Sequence, residues 1–146
     1  NGPINAFELM AESVTLPGRS LATLERRTFG PQRELPYERL FSGDVDMTFL
    51  FAAITENSHR VGLENWMDLI INPHTNTINP NYSDYTGTMW ISLDDPETQA
   101  PAFEVVIYEV FPKTINPIQL GWAQNDELVR QSVSWSFRDY EISKTT

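Results

Sequence analysis

The chain has 146 residues, 20 of them acidic and 10 basic, for a net charge of −10. An acidic surface repels phosphate, which argues against stable nucleic-acid binding. The absence of cysteine excludes a disulfide framework, a thiolate zinc site and a cysteine nucleophile.

With 12% aromatic and 21% charged residues, the composition is that of a globular domain and not of a disordered tail. The length suits one domain spanning residues 1–146. No apolar run approaches the roughly 18 residues of a membrane span, so no membrane anchor is expected. No secretory signal pattern opens the chain, and a start at Asn1 without an initiator Met fits a processed or trimmed terminus.

Pro and Gly punctuate the chain at short intervals with strand-like runs between them. Ala6 to Thr15 alternates loosely and reads as a strand. Leu16 to Pro36 is a long polar excursion with turn signals at Pro17-Gly18 and Gly30-Pro31, and it holds Arg19, Arg26, Arg27 and Arg33. An excursion this long inside a compact domain is usually functional, and a long hairpin that orders on a neighbour meets the description. From Asp44 the pattern tightens. Val45, Met47, Phe49 and Phe51 fall on one strand face, with Asp44, Asp46 and Thr48 on the other.

One helix is predicted around Arg60 to Ile71. Leu63, Trp66, Met67 and Ile70 at i, i+3, i+4 and i+7 make one apolar stripe, and Asn72-Pro73 stops it. Asn72 to Tyr85 reads as a polar loop. Thr88 to Leu93 reads as a strand turned by Asp94-Asp95-Pro96. Ala102 to Phe111 is almost continuously apolar and is expected to be buried on both faces. After a turn at Asn125-Asp126, Leu128 to Tyr140 alternates again. Val129, Val133, Trp135 and Phe137 lie on one side, with Arg130, Ser132, Ser134, Ser136 and Arg138 on the other. These patterns predict a mainly β fold: an antiparallel β-sandwich or partly open barrel with one flanking α-helix. Its edge strands need protection or a partner.

Chemistry is hard to find. His59 and His74 flank the two helix ends, too strained for a shared metal, and read as surface or structural residues. Asp44 and Asp46 share a strand face, and Glu104 has its own i+2 neighbours. A retaining glycosidase wants carboxyl groups about 5–5.5 Å apart, but acids on a polar strand face are ordinarily solvated. Asp94, Asp95 and Glu97 lack the ligand spacing of a calcium loop and read as a hairpin tip. Trp66 and Trp135 fall on apolar faces and read as core. Trp90 and Trp122 read as contacts with another subunit, or as a sugar-binding platform in a rival carbohydrate-binding sandwich. Asn81-Tyr82-Ser83 matches a glycosylation acceptor, a pattern that chance often produces. No catalytic, cofactor-binding or metal-binding set is assigned, and no enzyme is expected.

Several segments, taken in order, carry a resemblance. They are Glu12 to Leu21 (ESVTLPGRSL), Gly30 to Tyr37 (GPQRELPY) leading into Asp44 to Phe49, Trp66 to Pro73 (WMDLIINP), Tyr82 to Tyr85, Glu109 to Thr114 (EVFPKT), Leu120-Gly121, and Leu128 to Tyr140. Together they resemble the tail tube protein of contractile-tailed, T4-like bacteriophages from Glu12 onward, although the lead-in before the Pro17-Gly18 turn is shorter than usual there. The resemblance implies a structural virion protein of the tail, assembled in the host cytoplasm. Six copies would form a ring whose strands join into a barrel, and rings would stack into the inner tube. Expected partners are the tail sheath protein, baseplate and tail-terminator proteins, and a tape-measure protein in the lumen, with double-stranded DNA passing transiently. No cofactor is implied.

On that reading Asp44, Asp46, Thr48, Ser132, Ser134 and Ser136 are lumen-facing candidates by alternation, and Arg19, Arg26, Arg27 and Arg33 are inter-ring contact candidates. Six copies at −10 each carry −60 per ring, which discourages phosphate from adhering. The tube of a related device, such as a type VI secretion system or a bacteriocin, is the alternative with the same fold.

Overall fold

The computed structural model describes residues 11–50, 59–98, 100–118, 121 and 130–143. Alternation decides the central strands. In β4 (Val45–Leu50) Val45, Met47 and Phe49 are buried while Asp46 and Leu50 face out. β7 (Arg130–Ser136) pairs with it antiparallel and alternates likewise, with Gln131, Val133 and Trp135 inward. On the other side of β4 lies β1 (Ala11–Thr15), the described part of the first predicted strand. Phe51, Trp122, the Asn125-Asp126 turn, Leu128 and Val129 lie outside the described residues.

The full sheet runs β1-β4-β7-β6-β5, where β5 is Gly87–Asp94 and β6 is Pro101–Ile115, and β8 (Asp139–Ser143) also pairs with β6. It is a curled half-barrel, which answers to the partly open barrel expected from sequence. β1 and β5, at the ends of this order, and β8 each pair on one side only among the described residues.

β6 is not buried on both faces as its apolar run suggested. Val105 and Ile107 point inward while Tyr108 is exposed; after Glu109 the parity flips, and Val110 and Pro112 point inward. The cause is one extra residue. Gly87 and Met89 of β5 oppose Val110 and Ile107, so β6 spends three residues where β5 spends two. Glu109 takes up the difference with φ 54°, the left-handed region. Across the other edge of β6 the last predicted strand breaks at the same level, into β7 and β8. Arg138 in the break donates its N–H to Tyr108 O at 3.1 Å and pairs with Glu109 at 3.0 Å.

The predicted helix is α1 (His59–Ile70). Its stripe puts Leu63 and Trp66 into the core beside β6. Trp66 meets Trp135 edge to face, ring centroids 5.6 Å apart, and donates its indole N–H to Tyr85 O at 2.6 Å. The stretch read as a plain polar loop holds a short helix, α2 (Tyr82–Tyr85), and an Ile71–Ile78 bridge. Its polar side chains satisfy the local backbone: Asn72 Oδ1 accepts from the N–H of His74 and of Thr75.

Leu16 to Pro36 is largely ordered as strand. β2 (Gly18–Arg26) pairs with β3 (Arg33–Ser42) as a separate two-stranded ribbon that runs on to Ser42. At its base, a side chain on Gly18 would meet Ser42 Oγ at 2.8 Å, so the strands close tightly there.

Candidate functional site

Two surfaces stand out once the core is filled. The first is the polar face of β4 and β7. Asp46 lies opposite Ser134 and Thr48 opposite Ser132. Ser134 Oγ donates to Asp46 Oδ1 at 2.6 Å, and the Thr48 and Ser132 hydroxyls sit 3.1 Å apart. Ser136 continues the same face opposite Phe111, and Asp44 stands at the entrance to β4. The six residues singled out by alternation therefore share one face, because paired positions of neighbouring strands point the same way.

The structure adds cations to this face. Lys113 Nζ reaches Asp44 at 2.8 Å, and Arg130 grips both carboxylate oxygens of Glu12 at 2.7 and 3.2 Å. Asp46 is left as the acid here without a cationic partner among the described residues. This face is thus less acidic than the bare −10 suggests. The Arg130 hydrogen bond holds the Glu12 carboxyl below the usual range, and the same bond raises Arg130. The pair persists at neutral pH and is lost as pH falls through the lowered Glu12 value. Lys113 and Glu12 escape notice in sequence because a bulge and a 118-residue separation bring them in.

The second surface is the ribbon. From Ser20 to Leu40 every residue but Ala22 is exposed, and Phe29 at the tip is 99% exposed. Arg26 and Arg33 face each other across the last rung, with Arg27 in the turn and Gly30 at φ 94°. Arg19 sits apart, at the base. Its guanidinium donates to Tyr140 O at 3.1 Å and lies 4.8 Å from the Tyr140 ring and 5.6 Å from Phe41. Arg39 pairs with Asp139 at 2.9 Å beside it, and Phe41 packs on Phe137 and Tyr140. These contacts join the ribbon's root to β8.

The remaining sequence candidates are placed as follows. Trp66 and Trp135 are core, and Trp90 is 65% exposed on β5 opposite Val106. Asp95 spends its carboxylate on the Glu97 N–H and the Thr98 hydroxyl. An open recess of about 400 Å³ beside the β6 bulge is lined by Tyr108, Glu109, Arg138 and Asp139. Its charges are already paired, Glu109 with Arg138 and Asp139 with Arg39. The Tyr108 hydroxyl donates to Glu141 at 3.2 Å, a bond that raises its pKa. Burial, then the Glu109 charge, raises Tyr82.

Sequence reasoning missed a buried polar knot. Gln131, fully buried, donates its amide to Asn116 O at 2.7 Å and accepts from Arg60 at 2.8 Å, while Arg60 also pairs with Glu64. It ties the start of α1 to β7 and to the loop after β6. Its only trace in sequence is a polar residue at an inward position of an alternating strand.

A family model described as phage tail tube protein matches residues 4–143. No curated protein matches. Among solved structures, the tube-terminating cap of the anti-feeding prophage superposes with a TM-score of 0.70 at 14% identity, covering 97% of this chain and 85% of that one. The sheath-tube complex of an extracellular contractile injection system gives 0.66 at 16% identity, covering 94% and 82%. An Hcp protein gives 0.51 at 12%, covering 90% and 68%. Identities this low carry the fold alone. The family match spans all of the strands described above, and the chain belongs to the phage tail tube protein family, with a structural role in the tail tube.

Proposed function

We propose that six copies of this chain close into a ring, and that rings stack into the inner tube of a contractile phage tail, a conduit for double-stranded DNA. The observation that carries this reading is a curled sheet whose end strands, β1 and β5, each pair on one side only among the described residues, which leaves an open edge at either end of the half-barrel. Such edges invite strand pairing, and pairing β1 of one copy with β5 of the next closes a barrel. The polar face of β4 and β7 then lines the lumen, and the ribbon contacts neighbouring copies. The chain works as a conduit and catalyses no reaction. Sheath outside, baseplate and terminator at the ends, and a tape-measure protein within complete the assembly, formed in the host cytoplasm and carried in the virion tail. Similar structures come from sheath-tube, terminator and baseplate assemblies, which supports the sheath, terminator and baseplate as partners. They also favour a second reading, the tube of another contractile injection device.

Electron microscopy of the purified protein, with and without a nucleating baseplate, tests the ring. Six-fold rings or hollow filaments are expected; solitary subunits in both conditions reject it. The lumen is tested separately. Asp46→Lys with Asp44→Lys removes the unpaired acid and sets a second cation beside Lys113. Tubes should still form, and DNA passage should slow, because each lysine offers phosphate a place to bind. Ejection at the normal rate through such tubes would place these residues elsewhere.

A further inference from the structure

The tip of the ribbon is sorted by charge. Side chains alternate along β2, so Glu25 and Arg26 point to opposite faces. Each meets its own kind across the ribbon: Glu25 lies opposite Glu34, and Arg26 opposite Arg33. One face therefore ends in two acids and the other in two arginines. Next to the arginine pair, on its own face, Leu24 and Leu35 lie opposite each other and exposed. Like charges set directly opposite destabilise a hairpin, and a two-stranded ribbon standing alone is marginal to begin with. Two such rungs in succession work against the ribbon unless something outside it supplies the counter-charge. Within the described residues little does: Glu25 accepts from Gln32, and Glu34, Arg26 and Arg33 have no bonded partner.

We infer that ribbons of neighbouring copies in one ring pack face to face, the acidic face of one against the basic face of the next. The inference rests on the ring reading above and names the surface that sets its direction. A second copy is the occupant that the charges specify, since one ribbon carries both halves of a complementary pair. The contact is head to tail, the kind that closes into rings, and a two-fold pairing would set like against like. Leu24 and Leu35 supply the apolar centre, and the charged rungs supply register and reject the wrong face.

Three variants test this, all at exposed positions. Glu25→Arg with Glu34→Arg makes both faces basic, and Arg26→Glu with Arg33→Glu makes both acidic. The third carries all four changes and exchanges the faces. Circular dichroism should show the same fold in each. Sedimentation and microscopy, in the presence of the baseplate, should show each double variant needing at least about tenfold more protein to assemble, and high salt should narrow the gap. The fourfold variant should assemble nearly as wild type does. Equimolar mixing of the two double variants should restore assembly that neither shows alone. A fourfold variant no better than the doubles, beside a wild type that assembles, overturns face-to-face packing and leaves the ring intact; it would mean that the arginines read a fixed acidic surface elsewhere. A wild type that never assembles overturns both.

Discussion

Removing Ser20 to Leu40 and joining Arg19 to Phe41 through an Asn-Gly turn is expected to leave a folded subunit that no longer builds tubes. Arg19 and Phe41 are paired at the ribbon's base, so a two-residue turn can close the gap. No core residue is lost: the buried cluster draws on β4, α1, β6, β7 and β8 only. Of the root contacts only the exposed Arg39–Asp139 pair is lost; Arg19 still reaches Tyr140 and Phe41 still packs on Phe137. What disappears is exposed apolar surface, including Leu21, Leu24, Phe29 and Tyr37. A monomer seldom spends that much apolar area on solvent, and such patches mark contacts. Thermal melting should therefore change little while filaments vanish from micrographs. Tubes of normal length from the shortened chain would remove the ribbon from the assembly.

Trp135→Ala should unfold or nearly unfold the subunit. Trp135 is the largest fully buried side chain among the described residues and holds the centre between β4, β6 and the Trp66 ring. Truncating a buried tryptophan costs about 3–5 kcal/mol, against a total stability of roughly 5–15 kcal/mol. Trp135→Phe separates volume from polarity. The Trp135 indole N–H finds no acceptor among the described residues, and a buried unpaired donor costs about 1–3 kcal/mol. Phenylalanine gives up some packing but sheds that penalty, so its cost should stay below about 1.5 kcal/mol. Urea titration of both variants measures the difference. Equal losses would mean that the N–H is satisfied in solution and that shape alone does not explain Trp135.

The inward residues of β4 and β7 and the stripe of α1 were legible because burial imposes a period, two for a strand and 3.6 for a helix. Val45, Met47, Phe49, Leu63 and Trp66 all obey it. The polar residues of the candidate lumen face were legible for the same reason, as the complement of that pattern. β6 was misread because a run such as Val105-Val106-Ile107-Tyr108 carries no period of its own. Which side is inward there depends on a bulge at Glu109, and the bulge exists because β5 and β7–β8 flank it out of step. The ion pairs that temper the polar face, Lys113 with Asp44 and Arg130 with Glu12, likewise join residues 69 and 118 positions apart.

What the chain alone determined is the material: which faces are apolar, where turns fall, and that the ribbon is rich in arginine. Only the tertiary structure decided the ribbon's register, and with it the fact that Glu meets Glu and Arg meets Arg across its tip. The reason is physical. Periodicity reports how one strand divides water from core, but pairing across strands is set by the turn and the bulge at Tyr37, which local sequence pattern constrains weakly.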